Sequence, residues 1–309
     1  MLSRTAAELY WLSRYLERAE NTARMLDVAW NMSLIPFSVT ARDELSTPLE
    51  ISGAKELYAQ RYGTLQVHNV LHFFTFDQDN PGSIYNSLRV ARENAHAVRG
   101  KITSEMWESI NTTWIELQEM SSAGLLSIGV STFFDWVKQR SHLFRGAAYG
   151  TIMRNDAFRF LRIGTFIERA DNTARILGGR EHVDVTPGNT AVEFYRWNAL
   201  LRSVGAFEAY REIYSDSLQY DHIVELLILR AEVPRSLRSC VEMLCELLPT
   251  IEGNAGLNAK RQAAVLFARL QYGDIHHIMD VGVNEYLNDF LRRINELADT
   301  LRREYLEVV

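Results

Sequence analysis

Cysteine is nearly absent: Cys240 and Cys245 are the only two in 309 residues, and both lie in an apolar helical stretch. That excludes a disulfide framework and a cysteine-ligated zinc site, and it fits core thiols in a reducing compartment. No run of basic residues occurs, and 39 acidic against 33 basic side chains leave a net charge of −6, which argues against nucleic acid as a partner. Long apolar runs are missing too. The longest uncharged stretch, residues 120–134, is interrupted by serines and glycines and is too short and polar to span a bilayer. The first turns carry Arg4, Glu8, Arg14, Glu17 and Arg18 instead of an apolar signal segment, so the expected location is the cytosol. Glycine-rich phosphate loops of the Walker or dinucleotide type are absent, as is a Gly-x-Ser-x-Gly elbow. Finally, no stretch alternates with period two long enough to make a strand, and the six prolines fall at expected helix boundaries or first turns.

What is present is a repeat. Leu12 to Leu26 reads LSRYLERAENTARML, and Ile163 to Leu177 reads IGTFIERADNTARIL. Glu17, Arg18, Ala19, Asn21, Thr22, Ala23, Arg24 and Leu26 return unchanged as Glu168, Arg169, Ala170, Asn172, Thr173, Ala174, Arg175 and Leu177. Each copy carries an apolar seam spaced by threes and fours, Leu9, Leu12, Leu16, Ala19, Ala23 and Leu26 in the first. Alanine at two successive seam positions lets another helix backbone come close, so both copies are expected to be central helices. Glu17, Asn21 and Arg24 fall on the side opposite the seam at about 100° per residue. A merely solvated face has no packing reason to stay the same in two copies, so this second face is expected to be engaged as well.

Read in order, the chain is helical throughout. A Thr5-x-x-Glu8 capping box, with Ser3 as an alternative cap, predicts a first helix running to about Met32, before a loop around Pro36. Thr47 with Pro48 signals another start. A helix over 64–76 and one opened by Ser83, kinked or restarted near Gly100, follow. Leu125 to Phe144 reads as one mostly apolar helix, Asn155-Asp156 caps the second central helix, and Gly178-Gly179 ends it. The segment to about Asn189, with Pro187 and Gly188, reads as a flexible surface loop. Helical spacing then covers residues 192–214, 221–229, 234–248, 257–271 and 285–308. The expected fold is a single all-α domain, a multi-helix bundle over 1–309, made of two related halves, about 1–150 and 151–309, about a pseudo-two-fold axis.

Three constellations bear on chemistry. Glu93-x-x-His96 and Asp274-x-x-His277, with Glu17 and Glu168, have the spacing of a di-iron bundle site, but that spacing occurs near chance frequency, so no metal or other cofactor is expected. His68 and His72, one turn apart, lack a nearby acidic third ligand. Arginines carry more weight: Arg14, Arg18, Arg24, Arg92, Arg99, Arg169 and Arg175 lie on helices read as inner, where planar guanidiniums suit paired carboxylates or an acidic ligand. Burial of these charges requires partners, and reciprocal pairing is expected, Glu17 with Arg169 or Arg175 and Glu168 with Arg18 or Arg24. The candidate functional or network residues are Glu17, Arg18, Asn21, Arg24, Arg92, Glu93, Asn94, Glu168, Arg169, Asn172 and Arg175.

The two ERA(E/D)NTAR helices, ARENAHAVRGKITSEMWESIN over 91–111, WNALLRS from Trp197 and VPRSLRSC from Val233 together resemble the Alpha-E family of bacterial all-helical proteins, named for a Glu-Arg motif. The resemblance covers essentially the whole chain. It implies an association with circularly permuted ATP-grasp ligases and transglutaminase-like proteins, and so a part in ATP-dependent amide or peptide synthesis. On that basis the chain is expected to be an accessory or substrate-presenting subunit of an ATP-grasp-type ligase, with a homo-oligomer compatible. Two other classes stay open: an enzyme acting on amide bonds through Glu17 or Glu168, and a purely structural helical protein.

Overall fold

A computed structural model describes residues 1–34, 41–179, 190–215, 217–253 and 255–307. Every regular element among them is helical. Helix α1 (Ser3–Ser33) has neither glycine nor proline to interrupt it and buries Leu9, Leu12, Leu16, Ala19, Ala23 and Leu26 almost completely. It starts without the expected box, since Leu2 occupies the cap position and no side chain bonds there. Helix α2 (Ala41–Ser52) likewise overrides its start signal. Pro48 lies inside it, because burying Leu45 and Leu49 on either side outweighs the cap that Thr47 offers. The predicted loops around Pro36 and over 180–189 fall outside the described residues.

Short helices α3 (Lys55–Tyr62) and α4 (Val67–Thr75) lead to α5 (Ile84–Ala97), capped by Ser83 Oγ, and then to α6 (Ser104–Ala123). The chain restarts after Gly100, with Thr103 Oγ1 accepting from the Met106 N–H at 3.3 Å. Instead of one helix over 125–144 there are two, α7 (Leu125–Ile128) and α8 (Val130–Thr151), because Gly129 adopts φ +92°. Helix α9 (Asp156–Gly179) is capped as expected, the Asn155 side chain accepting from the Ala157 N–H at 3.0 Å. Gly205, at φ +63°, divides the next predicted helix into α10 (Thr190–Ser203) and α11 (Phe207–Tyr214). Then come α12 (Tyr220–Leu229), α13 (Leu237–Leu247), α14 (Leu257–Gln271), α15 (Ile275–Val281) and α16 (Val283–Leu301), which passes into a π-turn over Arg302–Leu306.

The repeated helices are the axis of the molecule. Helices α1 and α9 pack against each other, α1 is wrapped by α2, α5, α8 and α10, and α9 by α2, α13 and α16. One continuous apolar core joins them. Ala19, Ala23, Ala170 and Ala174 are at most 1% exposed, as expected for seams that let backbones approach. They come close at Gly164, where a Cβ would collide with Ser13 Oγ and the Tyr10 carbonyl. No helix among the described residues is long and apolar enough to cross a membrane.

Candidate functional site: a buried Glu-Arg network beside an open pocket

Where α1 crosses α9, their second faces meet. Glu17, 1% exposed, receives both forks of Arg169, Nε to Oε1 at 3.0 Å and Nη2 to Oε2 at 3.1 Å. In return Arg18 of α1 grips Glu168, Nε to Oε1 at 2.6 Å and Nη2 to Oε2 at 3.0 Å. The expected reciprocal pairing is thus present, through Arg169 and Arg18 and not through Arg175 and Arg24. Bidentate geometry of this kind is what a planar guanidinium supplies and a lysine does not. Arg14 Nε adds a third bond to Glu168 at 2.7 Å.

Two arginines from other elements complete the Glu17 side. Arg145 of α8 donates to Glu17 Oε2 at 2.7 Å and also to Glu20. Arg235, on the turn before α13, donates Nη1 to Asn21 Oδ1 at 2.7 Å and Nη2 to Glu20 Oε1 at 2.8 Å, and stands 2.9 Å from Glu17. Its own carbonyl is held by Thr173 Oγ1 at 2.9 Å. Glu20, fully buried, further accepts from Arg24 at 2.9 Å and Ser141 at 2.8 Å, with His142 Nε2 at 3.5 Å. On the α9 side Asp171, the counterpart of Glu20 in the repeat, is bonded by Arg175 at 2.7 Å.

Not all candidate residues meet here. Arg92 bonds Asn111 at 3.2 Å and lies over the Trp107 ring, and Glu93 is exposed and paired with Arg89 at 2.9 Å. Asn94 lies half-buried on the same helix, with its Nδ2 unpaired. Arg92 therefore serves the junction with α6, and Glu93 the surface of α5. The di-iron spacing does not converge: Glu93 points outward, Asp274 caps α15 by accepting from the His276 N–H, and Glu17 and Glu168 are saturated by guanidiniums. No group of three or more acidic, histidine or cysteine side chains among the described residues is placed to hold a metal. His72 Nδ1 instead lies 3.1 Å from Tyr62 Oη, which donates to Asp77 at 2.9 Å. Cys240 and Cys245 are unbridged, and burial pushes their thiols up to about 12 and about 11.

Burial by itself would raise the Glu17 carboxyl, but Arg169 and Arg235 outweigh it and hold it at about 2. Glu20 and Glu168 are also held below the ordinary carboxylate value, against burial, by their cationic neighbours. Carboxyls depressed in the folded state contribute stability that is fully present above their unfolded value of 4.5 and is lost as pH falls towards 2. Unfolding midpoints in denaturant should therefore hold steady from neutrality to about pH 5 and fall steeply below it. A midpoint unchanged down to about pH 3 would refute the ionised network.

Beside the network, on the Asp171 side, opens a cavity of about 320 Å³ bordered by Arg14, Arg18, Asn21, Asn172 and Arg175. Sequence reasoning found Glu17, Arg18, Asn21, Arg24, Glu168 and Arg169 of the network and the pocket residues Asn172 and Arg175, but missed Glu20, Arg145 and Arg235. Glu20 differs from Asp171 by one methylene, and the VPRSLRSC run held Arg235 in plain view between a proline and a serine cap.

A family model described as a predicted alpha-helical domain with a conserved ER motif matches residues 1–306. Uncharacterized proteins of Mycobacterium bovis and of two strains of Mycobacterium tuberculosis are 23% identical over 275 residues, which is 82% of this chain and 30% of each relative. The chain thus spans under a third of the length of these curated relatives. No solved structure matches. With Glu17-Arg18 and Glu168-Arg169 as its two Glu-Arg dipeptides, at the crossing of its two central helices, the chain belongs to the Alpha-E family.

Proposed function

We propose that this protein is a non-catalytic helical subunit that holds a substrate group for an ATP-grasp-type amide ligase. The observation that carries the reading is the arrangement at the α1–α9 crossing: the glutamates are saturated by arginines, while a pocket bordered by two of those arginines, Arg14 and Arg18, and by Arg175 stays open beside them. A carboxyl at about 2 has no proton to donate near neutrality and, capped by three guanidiniums, is a poor base, which speaks against Glu17 as an acid–base catalyst. Without a phosphate loop in the sequence, activation by phosphorylation falls to the partner, and this chain contributes orientation. Relatives more than three times as long as the matched region suit a module that works beside other domains.

The same reading takes the bundle as two related halves. Its supports are local. Gly129 and Gly282 cap α8 and α16 with nearly the same backbone, φ +92° and +94°. Ser83 and Ser236 cap α5 and α13, each two residues after a proline and each accepting from the N–H three residues on. Tyr58 and Tyr210 each bridge a carbonyl six or seven residues on and an N–H eight or nine residues on, Thr64 and Gln66 in one case, Ser217 and Gln219 in the other.

The test is reconstitution with the neighbouring ligase and mass spectrometry of the products. Arg18→Ala, folded by circular dichroism, should lower product formation by the pair about tenfold, the loss of one charged contact, while leaving basal ATP turnover of the ligase unchanged. Amide synthesis or hydrolysis by the isolated chain, or ligase products indifferent to its presence, would overturn the reading.

A further inference from the structure

The two sides of the crossing are unequally filled. Around Glu20 stand Arg24, Arg145, Arg235, Ser141 and His142. Counting from the paired caps, Gly129 with Gly282 and Ser83 with Ser236, the positions corresponding to Arg145 and Arg235 are Ala298 and Gly82, and His142 corresponds to Asn295. Only Arg175 repeats, as the partner of Asp171. Where one side is plugged by two guanidiniums, the other has an alanine and a glycine, and Gly82 and Asn295 border the resulting cavity of about 320 Å³. Its volume suits a small metabolite.

Its walls offer both signs of charge. Arg18, with a side chain 32% exposed, and Arg175 supply donors. Asn21, 3% exposed, accepts from Arg235 through its Oδ1 and leaves its Nδ2 without a partner, and Asn172 Nδ2 is also buried without one. Buried amide donors of this kind call for an acceptor. Asp171, bonded only by Arg175 among the hydrogen bonds and ion pairs of the described residues, keeps lone pairs for a donor, and it stands where Glu20 receives the two arginines that this side lacks.

We propose that this pocket binds a small amino acid as its zwitterion, the carboxylate held by Arg18, Arg175 and the amides of Asn21 and Asn172, and the ammonium held by Asp171 in place of the missing guanidinium. Three cationic side chains against Glu168 and Asp171 leave the walls one charge positive, so an acidic amino acid is the favoured member. The proposal rests on the two-halves and ligase reading for the comparison of sides and for the ligand's destination. Binding is nonetheless a property of this chain alone, and its failure is distinct from a failure to influence a ligase.

Calorimetric titration of the full chain with L-glutamate should give saturable binding of one molecule. Glutarate, which lacks the amine, and 1,4-diaminobutane, which lacks the carboxylates, should each bind about tenfold or more weakly, the cost of one lost charged contact, and inorganic phosphate should not compete. Gly82 has room: a Cβ there meets only Asn80 Oδ1 at an ordinary 3.4 Å. Gly82→Arg should therefore fill the pocket as Arg235 fills the other side and abolish binding. Arg175→Gln, at an exposed pair, provides a second loss that does not depend on the fold tolerating a new arginine. No saturable binding of L-glutamate, glutarate or phosphate binding as tightly as L-glutamate, or undiminished binding in folded Gly82→Arg and Arg175→Gln overturns the proposal.

Discussion

Replacing Glu17 by alanine is expected to destabilise the fold by about 3–5 kcal/mol, the cost of leaving buried guanidiniums without their counter-charge. Arg169, Arg145 and Arg235 all converge on this carboxylate, and their side chains are 11%, 21% and 10% exposed, too little for water to take its place. The proper contrast is Asp171→Ala, which breaks a pair within one turn of α9 whose arginine is 43% exposed and should cost less than about 1 kcal/mol. Denaturant unfolding of the two variants measures the difference directly. Equal losses would mean that the network adds nothing beyond ordinary surface pairing.

Gly164→Ala is the second large effect. The new methyl group meets the Tyr10 carbonyl and Ser13 Oγ, and a backbone oxygen bonded to that hydroxyl at 2.9 Å cannot swing aside as a flexible side chain would. Separating α1 from α9 to make room should cost about 1–3 kcal/mol or more. It also strains the forks at Glu17 and Glu168, so Gly164→Ala combined with Glu17→Ala should lose less than the sum of the two. Gly146→Ala serves as the control, since it lies within α8 with nothing near its Cβ and should stabilise by about 0.4–1 kcal/mol. A neutral Gly164→Ala would mean that the helices do not approach as closely as described.

The helical class, the central place of the repeated segments and the reciprocal Glu-Arg pairing were all legible in the sequence, because each follows from spacing. Leu9 to Leu26 fall on one face by arithmetic, and a polar face duplicated in two such helices has another helix as its natural partner. What spacing could not reach was the third dimension beyond that pair. Arg145 lies just past the stretch read as an apolar helix, Leu125 to Phe144, and it is inner only because α8 runs on to Thr151 and packs along α1. Arg235 precedes a serine cap on a turn, where a charged residue normally faces water, and it is buried because it reaches Glu17, Glu20 and Asn21 of α1. Conversely Arg92, Glu93 and Asn94 read as inner, yet the buried side of α5 is made by Ile84, Asn86, Ser87, Leu88, Ala91 and Ala95. A local signal lost where packing competed with it at Pro48, held within a helix by the buried leucines around it.

The distance along the chain between Glu17 and its partners also sets the order in which the molecule can be completed. During synthesis α1 emerges with Glu17 and Glu20 on a face where, of their partners among the described residues, only Arg24, bonded to Glu20, comes from the same helix. Arg145 and Arg169 follow only when about half of the 309 residues have been made, and Arg235 later still. Contacts of such long range form slowly and leave apolar surface uncovered meanwhile. Helix α1, which packs against α8, α9 and α10 in the finished protein, therefore waits for these partners with its apolar side chains uncovered, a state that favours aggregation.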